Sequence, residues 1–154
     1  MLRSILIGLV AGQRGIAPLA AMTAAVRRDA IPTDMPLSGL LKNPVIASGA
    51  VALSAAEMAG DKMKTAPDRI VPIGLAVRSI TAGYVGAALA PKGKRVLGGA
   101  LAIGTALASS WVGWRLRCAA MERFGQTATG FVEDAIVLGS GLAIADPRLI
   151  GRPA

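Results

Sequence analysis

Apolar residues run along this chain in long blocks, and the blocks are parted by short clusters of Lys, Arg, Asp, Glu and Pro. A helix that crosses a membrane needs about 20 mostly apolar residues at about 1.5 Å rise each. Five blocks approach that length: residues 4–26, 43–61, 73–91, 96–114 and 130–146. The pattern predicts an all-α fold, an integral membrane bundle of about five transmembrane helices within one domain, 1–154.

Small residues recur inside these blocks at helical spacing. Ser48, Ala52, Ala56 and Gly60 share one face of the second block, and Gly98, Ala102, Ala106 and Ser110 share one face of the fourth. Gly8, Gly12, Ile16, Ala20 and Ala24 repeat the pattern in the first; Ser79, Gly83 and Ala87, with Ala82, Gly86 and Ala90, give two such faces in the third. In lipid, faces of this kind let helix backbones approach closely, so that packing takes over from the hydrophobic effect. Pro18 predicts a kink in the first span, because it cannot donate to the carbonyl of Arg14. Between spans, Arg27–Lys42 and Asp61–Pro72 read as proline-broken connections, with a short interfacial turn over Leu37–Leu41. Trp111 and Trp114, followed by Arg115 and Arg117, read as an interfacial anchor.

Composition agrees with lipid as the solvent. The chain is 53% hydrophobic, with a mean hydropathy of +0.56, but only 3% aromatic. A water-excluding core would have to be built from Ala, Gly, Val and Leu. An Ala/Gly-rich soluble helical bundle is the competing reading. A secretory signal is a second one: Arg3, the run Ile5–Gly12 and Leu19-Ala20-Ala21 fit it, but Arg14 interrupts the apolar stretch. The net charge of +8 comes from Lys and Arg set between apolar blocks, where they meet headgroups. No aromatic–basic interleaving suggests nucleic acid. There is one cysteine, Cys118, and no histidine, which leaves no internal disulfide and no His-based metal or acid–base chemistry. No cofactor signature is present.

The charges inside the apolar blocks carry the candidate chemistry. Arg14 lies in the first span, Glu57 and Asp61 at the end of the second, Arg78 in the third, and Glu133 with Asp134 at the start of the last. A carboxylate or guanidinium in a bilayer costs several kcal/mol and calls for a partner, a cation or water. With five spans, all six fall toward the N-terminal side of the membrane, and the expectation is a polar vestibule built from Arg14, Glu57, Asp61, Arg78, Glu133 and Asp134. The plainer reading is that these pairs fix helix register, with Glu133 and Asp134 answering a helix dipole. Lys and Arg on the two sides are nearly balanced: Arg3, Lys62, Lys64, Arg69, Arg115, Arg117 and Arg123 against Arg27, Arg28, Lys42, Lys92, Lys94, Arg95, Arg148 and Arg152. That balance leaves orientation open and is compatible with an antiparallel homodimer. Arg14-Gly15-Ile16-Ala17 also resembles Arg78-Ser79-Ile80-Thr81, the short trace of an internal repeat.

Together these residues resemble a bacterial membrane-protein family known as domain of unknown function 4126. The resemblance rests on Gly12-x-Arg14 with Pro18, and on Glu57-x-x-x-Asp61-Lys62 followed by Pro67 and Arg69. It continues through Arg78 with Gly83, Arg115 after an Ala/Gly-rich span, and Glu133-Asp134 opening the last segment. Gly15 and Ala17 depart from the pattern, which carries hydroxyl residues there. The resemblance implies a multi-pass protein of the bacterial inner membrane and supplies no activity, substrate or cofactor.

Three functions compete. A small transporter or channel-like protein would use the Arg/carboxylate site for an ion or small solute. A non-catalytic scaffold or assembly partner would use the Gly/Ala faces. An intramembrane enzyme would need the paired carboxylates for acid–base work, and no nucleophile or metal arrangement supports it. The sequence favours the first, with the lipid bilayer as partner.

Overall fold

The computed structural model describes residues 1–31, 34, 35, 37–61, 70–146 and 148. These residues form seven α-helices: α1 (Leu2–Gln13), α2 (Ala17–Arg27), α3 (Ser38–Lys42), α4 (Pro44–Gly60), α5 (Pro72–Ala88), α6 (Arg95–Phe124) and α7 (Gln126–Ala145). No strand occurs among them. Local chemistry sets several boundaries. Asn43 accepts the Val45 N–H at 2.9 Å and Pro44 opens α4; Pro72 opens α5, in the first turn where its missing N–H costs nothing. Gly125, at φ 80°, separates α6 from α7 with a backbone that a side chain would strain.

The largest departure from the sequence reading is in residues 4–26. They do not make one kinked span. α1 ends at Gln13, Arg14 is extended, and α2 starts afresh at Ala17. Pro18 therefore sits in the first turn of a new helix and bends none. The two pieces fold back on each other. Arg3, at the start of α1, donates to the carbonyls of Ile144 and Ala145 at 2.9 and 2.8 Å. Arg28, just past α2, lies 3.5 Å from Asp146, and its carbonyl accepts from Arg148 at 2.7 Å. Both outer ends of the pair thus meet the C-terminal end of α7. α1 and α2 are the legs of a hairpin whose tip is Arg14-Gly15-Ile16.

α1, α5 and α6 form the close-packed centre. A methyl group built on Gly12 would stand 2.6 Å from the Ala106 carbonyl, and one on Gly86 would stand 2.9 Å from the Gly98 carbonyl. Hydroxyls stitch the same seams: Ser4 donates to Gly86 at 2.8 Å, Ser109 to Leu9 at 2.8 Å and Ser110 to Gly12 at 3.1 Å. The small-residue face predicted for α6 is this seam. The one predicted for α4 is not: Ser48, Ala52 and Ala56 are exposed, and α4 buries Ala47, Ala50, Ser54 and Met58 instead.

Two helices, α6 and α7, are long and apolar enough to cross a membrane, in place of the five spans expected. α4 and α5 have 17 residues each, and α1 and α2 have 12 and 11. The four residues of the suggested repeat adopt different backbones: Arg14–Ala17 straddle the hairpin tip, whereas Arg78–Thr81 lie inside α5. Large apolar side chains face outward on several helices, among them Val51 and Leu53, Ile73 and Ile80, Leu107 and Leu116, Val132 and Ile136. Arg14, Arg78, Arg117 and Asp134 are buried.

Candidate functional site

The hairpin tip organises the polar interior. Where α1 stops and α2 starts, backbone groups are left without helical partners. The Glu57 carboxylate, from the last turn of α4, takes two of them: Gly15 N–H at 2.7 Å and Ile16 N–H at 3.0 Å. This caps α2 from another helix, at the end where its dipole favours negative charge. Thr81 of α5 donates to the Gly15 carbonyl at 2.6 Å. Gly15 leaves little room for a side chain, since a Cβ there would lie 3.1 Å from Cγ of Arg78.

Beside the tip lies an ion network. Arg14, 1% exposed, puts Nη2 2.7 Å from both Asp61 and Asp134, donates from Nε to Asp134 at 2.9 Å, and has Nη1 3.7 Å from Glu133. Arg117 of α6 joins the same carboxylates. It contacts Asp61 Oδ2, reaches Glu133 at 2.9 Å and donates to the Asp61 carbonyl at 2.9 Å. α1, α4, α6 and α7 are thus tied at one level by guanidinium–carboxylate pairs. Removing one partner of such a buried set strands the others in low dielectric.

All six charged residues singled out from the sequence converge on this region. Arg14, Asp61, Glu133 and Asp134 share the network; Glu57 and the chain of Arg78 flank Gly15. The side-by-side placement differs from expectation, because the N-terminus lies at the opposite end, where α7 finishes. Arg117, expected from the sequence at the headgroups beside Trp114, is instead a member of the network, 7% exposed. Its helical phase carries the signal: it follows Ala106, Ser110 and Gly113 on the buried face of α6. Arg115, which the family pattern marks, stacks its guanidinium over Trp111 at 5.0 Å on the outside. Lys62, Pro67 and Arg69 of that pattern lie outside the described residues.

A cleft of about 620 Å³ runs between α6 and α7. Leu116, Val132 and Ile136 make its walls, and Gln13, Arg117 and Glu133 bring polar atoms to it. It connects the apolar outside with the ion network, and Glu57 is not part of its lining. No group of His, Cys, Asp or Glu among the described residues has the arrangement of a metal site. Comparison with family models, with curated proteins and with solved structures returned no match.

Proposed function

We propose that this chain is a small transporter or channel-like protein of the bacterial inner membrane, multi-pass, whose working site is the ion network at the hairpin tip. The observation that carries the reading is the helix break at Arg14-Gly15-Ile16, buried beside guanidiniums and carboxylates from four helices. Non-helical backbone at membrane depth is tolerated where protein or a water-filled cavity covers it. Transporters place their ion and substrate sites at such discontinuous helices. The large apolar side chains on the outside, together with the charges of Arg14, Arg117 and Asp134 buried within, support a lipid surround. α6 and α7 are long enough to cross, and α4 and α5, at about 25 Å, stand at the short end of the spanning range. The reading uses no catalytic group and no cofactor; its ligand is an ion or small solute.

The test is flux into proteoliposomes under proton and monovalent-cation gradients, wild type beside Glu133→Gln. Glu133 is chosen because it reaches both the cleft and Arg117. Flux in the wild type that is largely lost in a folded variant supports the reading; an inert wild type under every gradient counts against it. One observation favours the alternative of a membrane scaffold or assembly partner. Ser48, Ala52 and Ala56 of α4 form an uncovered small-residue face of the kind helices use to pair in lipid. A homodimer that persists in mild detergent and dissociates in Ala52→Leu would support that alternative.

A further inference from the structure

We infer that α4 is a hinged arm, latched at its C-terminal end by Glu57 and Asp61, and that release of this latch uncovers the ion network. The inference extends the proposed function by naming its moving part. At one end, α3 and α4 share a single residue: Asn43 closes α3, opens α4 and lies extended at φ −65°, ψ 125°. That is a one-residue hinge. Along its length α4 packs on α2 and α3, through Ala47, Ala50, Ser54 and Met58. Three of those four side chains are small, and in lipid apolar contacts of this kind are readily replaced by acyl chains.

The far end is held differently. Glu57 accepts both N–H groups at the hairpin tip, and Asp61 meets Arg14 and Arg117 through its carboxylate and Arg117 again through its carbonyl. Among the described residues, the strongest ties of α4 are therefore polar and lie at its C-terminal end, and they are made to the groups that a permeating ion would meet. The two ends stand about 24 Å apart along the helix, so a swing of about 15° at Asn43 would carry the tip about 6 Å.

The experiment uses the full chain in lipid nanodiscs, in a Cys118→Ser background. Spin labels are placed at Ala59 of α4 and Leu107 of α6, both exposed. A second pair, Ile80 and Leu107, reports on the α5–α6 body, which should not change. The wild type is expected to show one dominant Ala59–Leu107 distance. Glu57→Gln is expected to add a second population displaced by several ångströms, with the Ile80–Leu107 distance unaltered. Glu57→Asp, which keeps the charge but withdraws it by one methylene, should add the same population in smaller amount, and it decides the matter if Glu57→Gln perturbs the control pair. A single wild-type distance in the folded variants would overturn the inference. Because the readout is a distance, displacement without any flux would leave the arm in place and sink only the transport reading.

Discussion

Two sets of small residues, alike in sequence, do opposite things in this protein. Gly98, Ala102, Ala106 and Ser110 of α6 lie in a seam so tight that α1 and α5 approach it backbone to backbone. Ser48, Ala52 and Ala56 of α4 have the same spacing and face outward, and Gly49 and Gly60 have nothing within 4 Å of an added Cβ. The difference is not in the stripes. α1 and α6 are joined by Ser109 and Ser110, which donate to α1 carbonyls, whereas α4 is oriented by Glu57 and Asp61, which turn its Ala47–Met58 face inward. A small-residue stripe grants the capacity for close approach; directional polar contacts choose which stripe is used.

The comparison breaks hardest at Arg14, which ties the tight region to the loose one. Arg14→Met leaves Asp61 and Asp134 without a guanidinium they each meet at 2.7 Å, and should cost about 3–5 kcal/mol. Unfolding in mixed micelles would read this directly. Next comes Gly86→Leu in the tight seam. Even the first carbon would stand 2.9 Å from the Gly98 carbonyl, so a loss of about 1–3 kcal/mol or more is expected in the same assay. Ala52→Leu, the matched change on α4, should stay within about 0.5 kcal/mol for the isolated chain. Equal losses at Gly86 and Ala52 would erase the distinction between the two stripes.

The smallest expected effect lies away from both regions. Asp34, between α2 and α3, accepts from Arg95 at 2.6 Å, and this bond holds its carboxyl below the usual carboxylate range. A depressed folded value means that the pair's contribution is present above the unfolded value and is lost as pH falls through the folded one. The wild type should therefore lose its small thermal advantage over Asp34→Asn as the solution is acidified. Since the pair is exposed, the advantage itself is slight.

Much of the helical layout was legible because hydropathy blocks map onto helices. Residues 96–114 fall within α6, 130–146 runs one residue past the end of α7, and 73–91 nearly coincides with α5. The charged site was legible for a second reason: carboxylates and guanidiniums embedded in apolar helices require each other, wherever the chain runs. The path of the first segment was hidden. Ile5–Gly12 and Ala17–Val26 are both apolar, and hydropathy is the same for one span as for two legs of a hairpin. The turn is made by Glu57 and Thr81, residues distant in sequence that satisfy Gly15 and Ile16. Arg117 was obscured by Trp111 and Trp114, which drew it to the interface, although its phase on α6 matches the buried Ser110 and Gly113.

The tip, the latch and the ion network all depend on the hairpin, and the sidedness of its two ends is the decisive measurement. Single cysteines at Leu2 and Asp29, both exposed, and at Arg123 near the end of α6, would be placed in a Cys118→Ser background. A membrane-impermeant maleimide would be applied to sealed vesicles of one orientation. A re-entrant α1–α2 pair predicts that Leu2→Cys and Asp29→Cys label from the same side, and Arg123→Cys from the other. Labelling of Leu2→Cys and Asp29→Cys from opposite sides would restore a continuous first span, and with it would go the tip, the latch and the site built on them.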